Sequence, residues 1–308
     1  MNLSPGPVFS IVTPFKEDKS IDYGSLGKYI NNACDSGAKN FYVMGYNSRF
    51  SELSWDEIKQ LNKFVTEEVK SYDDENFVIV ADPLHCSTDI SLEFAQHGEQ
   101  IGADMISLIF REKFYSNQQV IEHFKYIQKD SNIKILIHEM PFISGLGGHT
   151  VNWPVDLLDK LADFENIKAI KEDAKNDEYS NEVISTIKDR LSIVISGGGK
   201  RQWLRFADIG CQNWLNGIGV FEPKLAVNFW NAYVDKNMEY CDNLLNEVEV
   251  PFFTNLVSKY GWHLSIRAAL EIVGHFPRTE RLPMLPINES DFESFKEEFR
   301  KIEYKKFI

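Results

Sequence analysis

Short apolar runs of strand length alternate along this chain with segments whose apolar residues recur at helical spacing. Eight such pairs lie between residues 8 and 236. The predicted strands are Val8–Val12, Phe41–Met44, Phe77–Val80, Met105–Ile109, Ile133–Ile137, Ile167–Ile170, Ile193–Ile195 and Asn213–Gly219. The helices predicted after them cover residues 23–33, 54–69, 87–102, 116–129, 154–161, 178–187, 202–209 and 223–236.

Strands that are apolar throughout are typical of a parallel sheet covered on both faces. Because right-handed βαβ connections repeated this often close on themselves, the pattern predicts an α/β fold, a (β/α)8 TIM barrel. A doubly wound open sheet is the alternative, although no G-x-G-x-x-G motif follows the first strand. After Asn237 only helical patterns remain. We therefore expect a barrel with the active site over residues 1–236 and a small all-helical C-terminal domain over residues 237–308.

Charge and composition narrow the class of partner. The 308 residues include 33 Lys and Arg against 46 Asp and Glu, a net charge of −13, which argues against a nucleic-acid or anionic-membrane surface. The sequence has no uncharged apolar run near twenty residues, so no membrane span is expected. Four widely spaced cysteines, with no secretory pattern at the N-terminus, predict a cytoplasmic protein with reduced thiols.

Barrel enzymes place their chemistry where the strands end, so the strand ends supply the candidate residues. Among them, Lys171 directly follows a buried strand. Burial disfavours the ammonium form and frees the amine as a nucleophile for imine formation with a ketone. The alternative is a structural lysine paired with Glu172, Asp173 or Glu139. Asp82 and His85 have no third ligand at suitable spacing, so no metal is expected.

Several motifs, taken in order, resemble the dihydrodipicolinate synthase/N-acetylneuraminate lyase family over essentially the whole chain. They are Val12-Thr13-Pro14-Phe15, Gly45 with the helix start Leu53 to Glu57, Gly102-Ala103-Asp104, Pro141, Ile170-Lys171-Glu172, Ser196-Gly197, Glu222 to Leu225 and Arg281 to Pro286. The resemblance implies that Lys171 forms a Schiff base with pyruvate or a longer 2-keto acid. It also implies the barrel fold, no cofactor beyond the covalent imine, and a homodimer or homotetramer.

The chain departs from the family pattern at the positions whose side chains carry protons in the family. The family commonly has Tyr-Asn-x-Pro after the fifth strand, and this chain has His138-Glu139-Met140-Pro141. An imidazole there suits a general acid or base, although a structural histidine is equally compatible. Tyr46 and Asn47 replace the family's paired threonines. Tyr46 is either a second proton carrier or a packing aromatic.

The remaining candidates would bind substrate. Asn47 and Ser48 are expected to hold the keto-acid carboxylate, with Gly45, Gly197 and Ile218 lining the site. Arg49 follows, and an ion pair with Glu52 is favoured over a substrate contact. The glycine-rich loop at residues 144–150 is a lid or a flexible connector. True dihydrodipicolinate synthases have an arginine after the proline that corresponds to Pro141, whereas residues 142–150 of this chain contain none.

The sequence thus predicts a class I lyase or aldolase, a cofactor-independent enzyme in which Lys171 forms the imine and His138 and Tyr46 move protons. The expected partner is a small-molecule 2-keto acid, including 2-keto-3-deoxy sugar acids, in reversible C–C cleavage or condensation. Two alternatives stay open: a sugar-acid dehydratase using the same imine, and a non-catalytic keto-acid-binding barrel.

Overall fold

Eight parallel strands form a closed barrel in chain order, as the sequence predicts. The structure is a computed structural model that describes residues 3–110, 116–139, 152–196 and 199–308. The strands are Gly6–Ser10 (β1), Asn40–Tyr42 (β2), Phe77–Ala81 (β3), Met105–Leu108 (β4), Lys134–His138 (β5), Ile167–Glu172 (β6), Ser192–Ile195 (β7) and Asn213–Leu215 (β8).

Helices follow the strands as the periodicity predicts. They are Tyr23–Asp35 (α1), Trp55–Tyr72 (α2), Thr88–Gln100 (α3), Asn117–Asp130 (α4), Val155–Leu161 (α5), Asp177–Ile187 (α6), Gly199–Phe206 (α7) and Pro223–Val234 (α8). The α2 helix begins with a capping box, in which Ser54 and Glu57 each bond the other's backbone N–H. Its start therefore lies within one residue of the predicted one.

The predicted ends of four strands, β1, β2, β6 and β8, differ by two residues or more from the observed ends. β1 runs from Gly6 to Ser10, because its register pairs Gly6 with Asn213. β8 ends at Leu215, four residues before the predicted Gly219. Gly217 has a φ of 54°, and Gly217–Val220 forms a 3₁₀ turn instead of extended chain. An apolar run therefore overstated the length of β8.

The pairing of β5 with β6 contains an irregularity that decides which side chains share a face. Ile135 pairs with Ile167, but Leu136 pairs with Ala169, so Lys168 is an extra residue on β6. Lys168 is exposed, whereas the rest of β6 is buried. Beyond this bulge, His138 pairs directly with Lys171.

The chain groups into two compact units. The first comprises residues 1–8 and 39–215, and the second comprises residues 9–38 and 216–308. The C-terminal part is helical, as expected: Met238–Leu244 (α9), two π-helical segments, Ser258–Tyr260 (α10), Trp262–Ile272 (α11) and Glu289–Arg300 (α12). The predicted domain boundary after residue 236 stays a prediction. Within the described ranges, no helix is long and apolar enough to cross a membrane.

Candidate functional site

Lys171 is buried inside the first unit near the end of β6. Its side chain is 1% exposed, and its Nζ lies 2.8 Å from Oδ2 of Asp173 and 2.9 Å from Nε2 of His138. A buried ammonium is stable only when it is paired, and the Asp173 carboxylate supplies the opposite charge. Of the three acidic partners considered from sequence, Asp173 is the one that forms the ion pair.

His138 is the last residue of β5 and is also buried. The direct pairing of His138 with Lys171 places both side chains on one face of adjacent strands. Two of the three predicted catalytic residues are thus within hydrogen-bond distance of each other. An amine held between an imidazole and a carboxylate has two groups in reach that accept or return a proton.

The other ring nitrogen of His138, Nδ1, faces a second buried pair, Tyr42 and Ser107. Tyr42, the last residue of β2, places its hydroxyl 3.4 Å from Nδ1 of His138 and 2.6 Å from Oγ of Ser107 on β4. Burial raises the pKa of Tyr42, so the phenol stays protonated at neutral pH. Polar side chains from four strands therefore meet on one face.

Three carboxylates at the strand ends point the other way, toward the helices. Glu172 accepts 2.7 Å hydrogen bonds from the Ala174 N–H and from the hydroxyl of Ser180 on α6. Glu139 accepts a 3.2 Å bond from the Trp153 N–H, two residues before α5. Asp82 accepts a 2.6 Å bond from the Ser91 hydroxyl on α3, and the Cys86 thiol donates to it at 3.7 Å. Because side chains alternate along a strand, these acids tie strand ends to the following helices.

Burial dominates the electrostatics of these three acids. It raises the pKa of Asp82 to about 7 and that of Glu139 to about 8, the latter with repulsion from Glu172. The pKa of Glu172 is raised as well, again chiefly by burial. Glu139 is therefore largely protonated at neutral pH.

The loop after β2 holds the other predicted residues. Tyr46 is half-buried, whereas Asn47 and Ser48 are buried. The Ser48 N–H donates to the Met44 carbonyl at 2.8 Å, so the proposed carboxylate contact of Ser48 falls to its hydroxyl. The contacts of Tyr46, Asn47 and Ser48 with substrate stay predictions.

Two neighbours in this loop have clear packing roles. Arg49 pairs with Glu52 at 2.7 Å, and both side chains are buried, which confirms the favoured interpretation of Arg49. Gly45 is buried, and a Cβ there would lie 2.8 Å from Cδ2 of Leu84. Gly45 therefore allows the loop to pass close to Leu84.

The last two predicted residues, Ile218 and Gly197, do not belong to the loop after β2. Ile218 is fully buried in the 3₁₀ turn Gly217–Val220, which belongs to the second unit. Gly197 and the glycine-rich loop at residues 144–150 lie outside the described residues. Where the structure describes side chains, no group of three or more His, Cys, Asp and Glu is placed to hold a metal ion.

Sequence reasoning missed Tyr42 and Ser107 as site residues and treated Asp173 only as one of three ion-pair partners. Tyr42 lies within the apolar run Phe41–Met44, where a tyrosine indicates a core residue. Alternation along each strand is a signal for Asp173, since it lies two residues after Lys171 and so on the same face. No sequence signal joins Tyr42 to His138, because their proximity depends on closure of the barrel.

The raised pKa of Glu139 makes a prediction about stability. Its pKa is about 8 in the folded chain against an ordinary 4.5, so between these pH values the folded state binds a proton that the unfolded state has lost. Glu139 therefore lowers stability progressively as pH rises from about 4.5 to 8. Glu139→Gln keeps an acceptor for the Trp153 N–H and removes the titration. Thermal unfolding should show the variant gaining in melting temperature over the parent from pH 5 to pH 8. A difference that is constant across this range would contradict the assignment.

Comparison with known sequences identifies the family of this chain. Residues 5–302 match the dihydrodipicolinate synthetase family. An uncharacterized DapA-like lyase of Pyrococcus abyssi is 24% identical over 76% of each chain. A 4-hydroxy-tetrahydrodipicolinate synthase of Chlorobaculum parvum is 23% identical over 97% of this chain and 98% of that protein.

Solved structures show the same fold. Dihydrodipicolinate synthase DapA-2 from Bacillus anthracis has a TM-score of 0.84 at 21% identity, covering 97% of this chain and 99% of that one. YagE from E. coli K12, a member of the dihydrodipicolinic acid synthase family solved in complex with pyruvate, has a TM-score of 0.84 at 19% identity over 98% and 99% of the two chains. With a family match that spans nearly the whole sequence and a closed eight-stranded barrel, this chain is a divergent member of the dihydrodipicolinate synthetase family, and its fold and relatives are those of lyases.

Proposed function

We propose that this protein is a class I lyase in which Lys171 forms a Schiff base with pyruvate or a 2-keto-3-deoxy sugar acid. The reaction is reversible C–C cleavage or condensation, with no cofactor beyond the covalent imine. One observation carries the proposal: the buried Nζ of Lys171 lies within hydrogen-bond distance of both His138 Nε2 and Asp173 Oδ2. An amine in that position has a proton acceptor on each side.

Imine formation begins with loss of one proton from the ammonium of Lys171 to His138 or Asp173. The neutral amine attacks the keto carbon, its nitrogen gives up a second proton to the same groups, and the carbonyl oxygen takes up one proton to give a neutral carbinolamine. That hydroxyl then leaves as water after a second protonation, and the C=N bond forms. His138 and Asp173 are the groups in reach that return these protons.

The second stage needs a proton moved at the carbon next to the imine. Loss of that proton gives an enamine, whose carbon attacks an aldehyde to form the new C–C bond, and the reverse sequence cleaves it. We assign this transfer to His138, with Tyr46 as a second carrier. Asn47 and Ser48 would hold the substrate carboxylate, and Gly45, Gly197 and Ile218 would line the site.

Several further findings support this function. YagE, of the same fold, is described in complex with pyruvate, and the family's relatives include lyases.

All four cysteines are thiols, three of them buried, which supports a cytoplasmic location. We further propose a homodimer or homotetramer, as the family resemblance implies.

The ion pair itself also supports an alternative. A buried Lys171–Asp173 pair that serves only stability would fit a non-catalytic keto-acid-binding barrel. A sugar-acid dehydratase would use the same imine and eliminate water from the sugar. Covalent trapping distinguishes the binding barrel from the lyase and the dehydratase. Product analysis distinguishes the lyase from the dehydratase.

Borohydride trapping tests the imine. The protein is incubated with pyruvate or a 2-keto-3-deoxy acid, reduced with borohydride and mapped by peptide mass spectrometry. We expect an added mass on Lys171, because reduction turns its C=N bond into a stable secondary amine. Lys171→Ala should lose the adduct. Lys168→Ala, which removes an exposed lysine from the same strand, should keep it.

Absence of any adduct across a panel of such acids, one of which binds measurably, would overturn the lyase and favour the binding barrel. An adduct on lysines in general, undiminished in Lys171→Ala, would do the same.

The role of His138 is tested by isotope exchange, which needs no knowledge of the aldehyde. In D₂O, an enzyme that interconverts imine and enamine exchanges the methyl hydrogens of pyruvate for deuterium, as NMR detects. His138→Phe should keep the borohydride adduct but exchange about 10²- to 10⁴-fold more slowly, the range for loss of a general base. Thermal unfolding should show a loss of no more than about 1–2 kcal/mol. Exchange at the parental rate would make His138 structural.

Condensation of pyruvate with aspartate semialdehyde is expected to be negligible. The carboxylate-binding arginine is missing from residues 142–150, and His138, Tyr46 and Asn47 replace the family's phenol and threonines. The synthase of Chlorobaculum parvum would serve as the positive control in a coupled assay. Robust synthase activity of this chain would show that the family's relay is dispensable here.

A further inference from the structure

We propose that Tyr42, held by Ser107, is a positioning residue that accepts the Nδ1–H of His138 and so holds the imidazole with the lone pair of Nε2 facing Lys171. The tautomer follows from the distances together with the Lys171–Asp173 ion pair. Its catalytic consequence rests on the proposed Schiff-base function.

The arrangement is a continuous row of buried polar groups. It runs from Ser107 on β4 to Tyr42 on β2, then to His138 on β5 and Lys171 on β6. All four side chains are almost completely buried. Because water has little access to such groups, each depends on its protein neighbours for hydrogen bonds.

The direction of these bonds follows from the charge at one end. The Lys171 ammonium has only hydrogens to donate, and it is paired with Asp173 at 2.8 Å. At 2.9 Å from Nζ, Nε2 of His138 must therefore accept, since two N–H donors facing each other would repel. A neutral imidazole that accepts at Nε2 carries its hydrogen on Nδ1.

Tyr42 is placed to receive that hydrogen. Its oxygen lies 3.4 Å from Nδ1 and accepts the N–H, while its own hydrogen goes to Ser107 Oγ at 2.6 Å. The short bond to Ser107 turns the phenol so that an oxygen lone pair faces the imidazole. At 3.4 Å the bond to Nδ1 is long for a neutral pair, and it strengthens when His138 becomes charged.

This arrangement suits the proton transfers that the proposed reaction needs. When Lys171 passes a proton to Nε2, His138 becomes an imidazolium with hydrogens on both nitrogens. The Nδ1–H then still has its acceptor in Tyr42. Tyr42 itself keeps its proton, because burial and the nearby Asp82 and Asp173 carboxylates raise its pKa. Tyr42 therefore supports His138 without exchanging a proton with substrate.

The experiment measures the histidine nitrogens directly. Protein labelled with ¹⁵N-histidine is studied by long-range ¹H–¹⁵N NMR, and His138→Gln assigns one signal set among the seven histidines. We expect the parent to show His138 protonated on Nδ1. In Tyr42→Phe the Nδ1–H loses its acceptor, so the Nδ1 signal of His138 should shift from its parental position. Deuterium exchange into pyruvate should slow about 10- to 100-fold, the range seen when a metal-ligating histidine loses its orienting partner.

Tyr29→Phe is the matched control. Tyr29 is likewise buried, and its hydroxyl donates a 2.8 Å bond to the Val220 carbonyl within the second unit. The control loses one buried hydroxyl and one hydrogen bond, as Tyr42→Phe does, but should leave the His138 nitrogens and the exchange rate unchanged. Its thermal unfolding calibrates how much of any loss reflects stability.

Two results would overturn the inference: a parental His138 protonated on Nε2, or Tyr42→Phe with the parental Nδ1 signal and exchange rate. If Tyr42→Phe does not fold, Ser107→Ala decides, since it frees the phenol to rotate. Unchanged His138 signals in that variant would reject the inference. If no protein shows exchange or a borohydride adduct, the proposed lyase fails, and the NMR result still decides the tautomer.

Discussion

Between Ile135 and Leu136 the pairing of β5 with β6 skips one residue of β6, Lys168. In a regular ladder His138 would pair with Ile170, and Lys171 would share the opposite face with Glu139. Because a one-residue slip moves every following side chain to the other face, the extra residue is what places Lys171 beside His138. The ion pair, the imidazole contact and the row of polar groups behind it all depend on this register.

Side chains on the inner and outer faces of the strand ends have different roles. On the inner face, Lys171 carries a buried charge, and only a close carboxylate makes that burial tolerable, which Asp173 supplies at 2.8 Å. On the outer face, Asp82, Glu139 and Glu172 accept hydrogen bonds from residues at or near the starts of the next helices. These outer acids tie the strand ends around Lys171 to the segments that follow them.

The chemistry at this site differs in detail from the pattern that the family resemblance implies. An imidazole stands at residue 138 where a phenol is common, and a phenol, Tyr42, approaches it from β2. An imidazole and a phenol are thus both present, with the phenol on β2 and the imidazole on β5.

The sequence by itself determined the barrel and most element positions, because apolar periodicity is a local property of the chain, and it selected Lys171 and His138 as candidate residues at strand ends. It also favoured the Arg49–Glu52 pair, whose members lie one helical turn apart. Only the tertiary structure excluded Glu139 as the partner of Lys171, because the bulge at Lys168 sets which residues at the end of β5 share its face. Only barrel closure brought Tyr42 close to His138 and Ser107. Tyr42 lies 96 positions from His138 and 65 from Ser107, and its strand, β2, is not adjacent to β5 or β4.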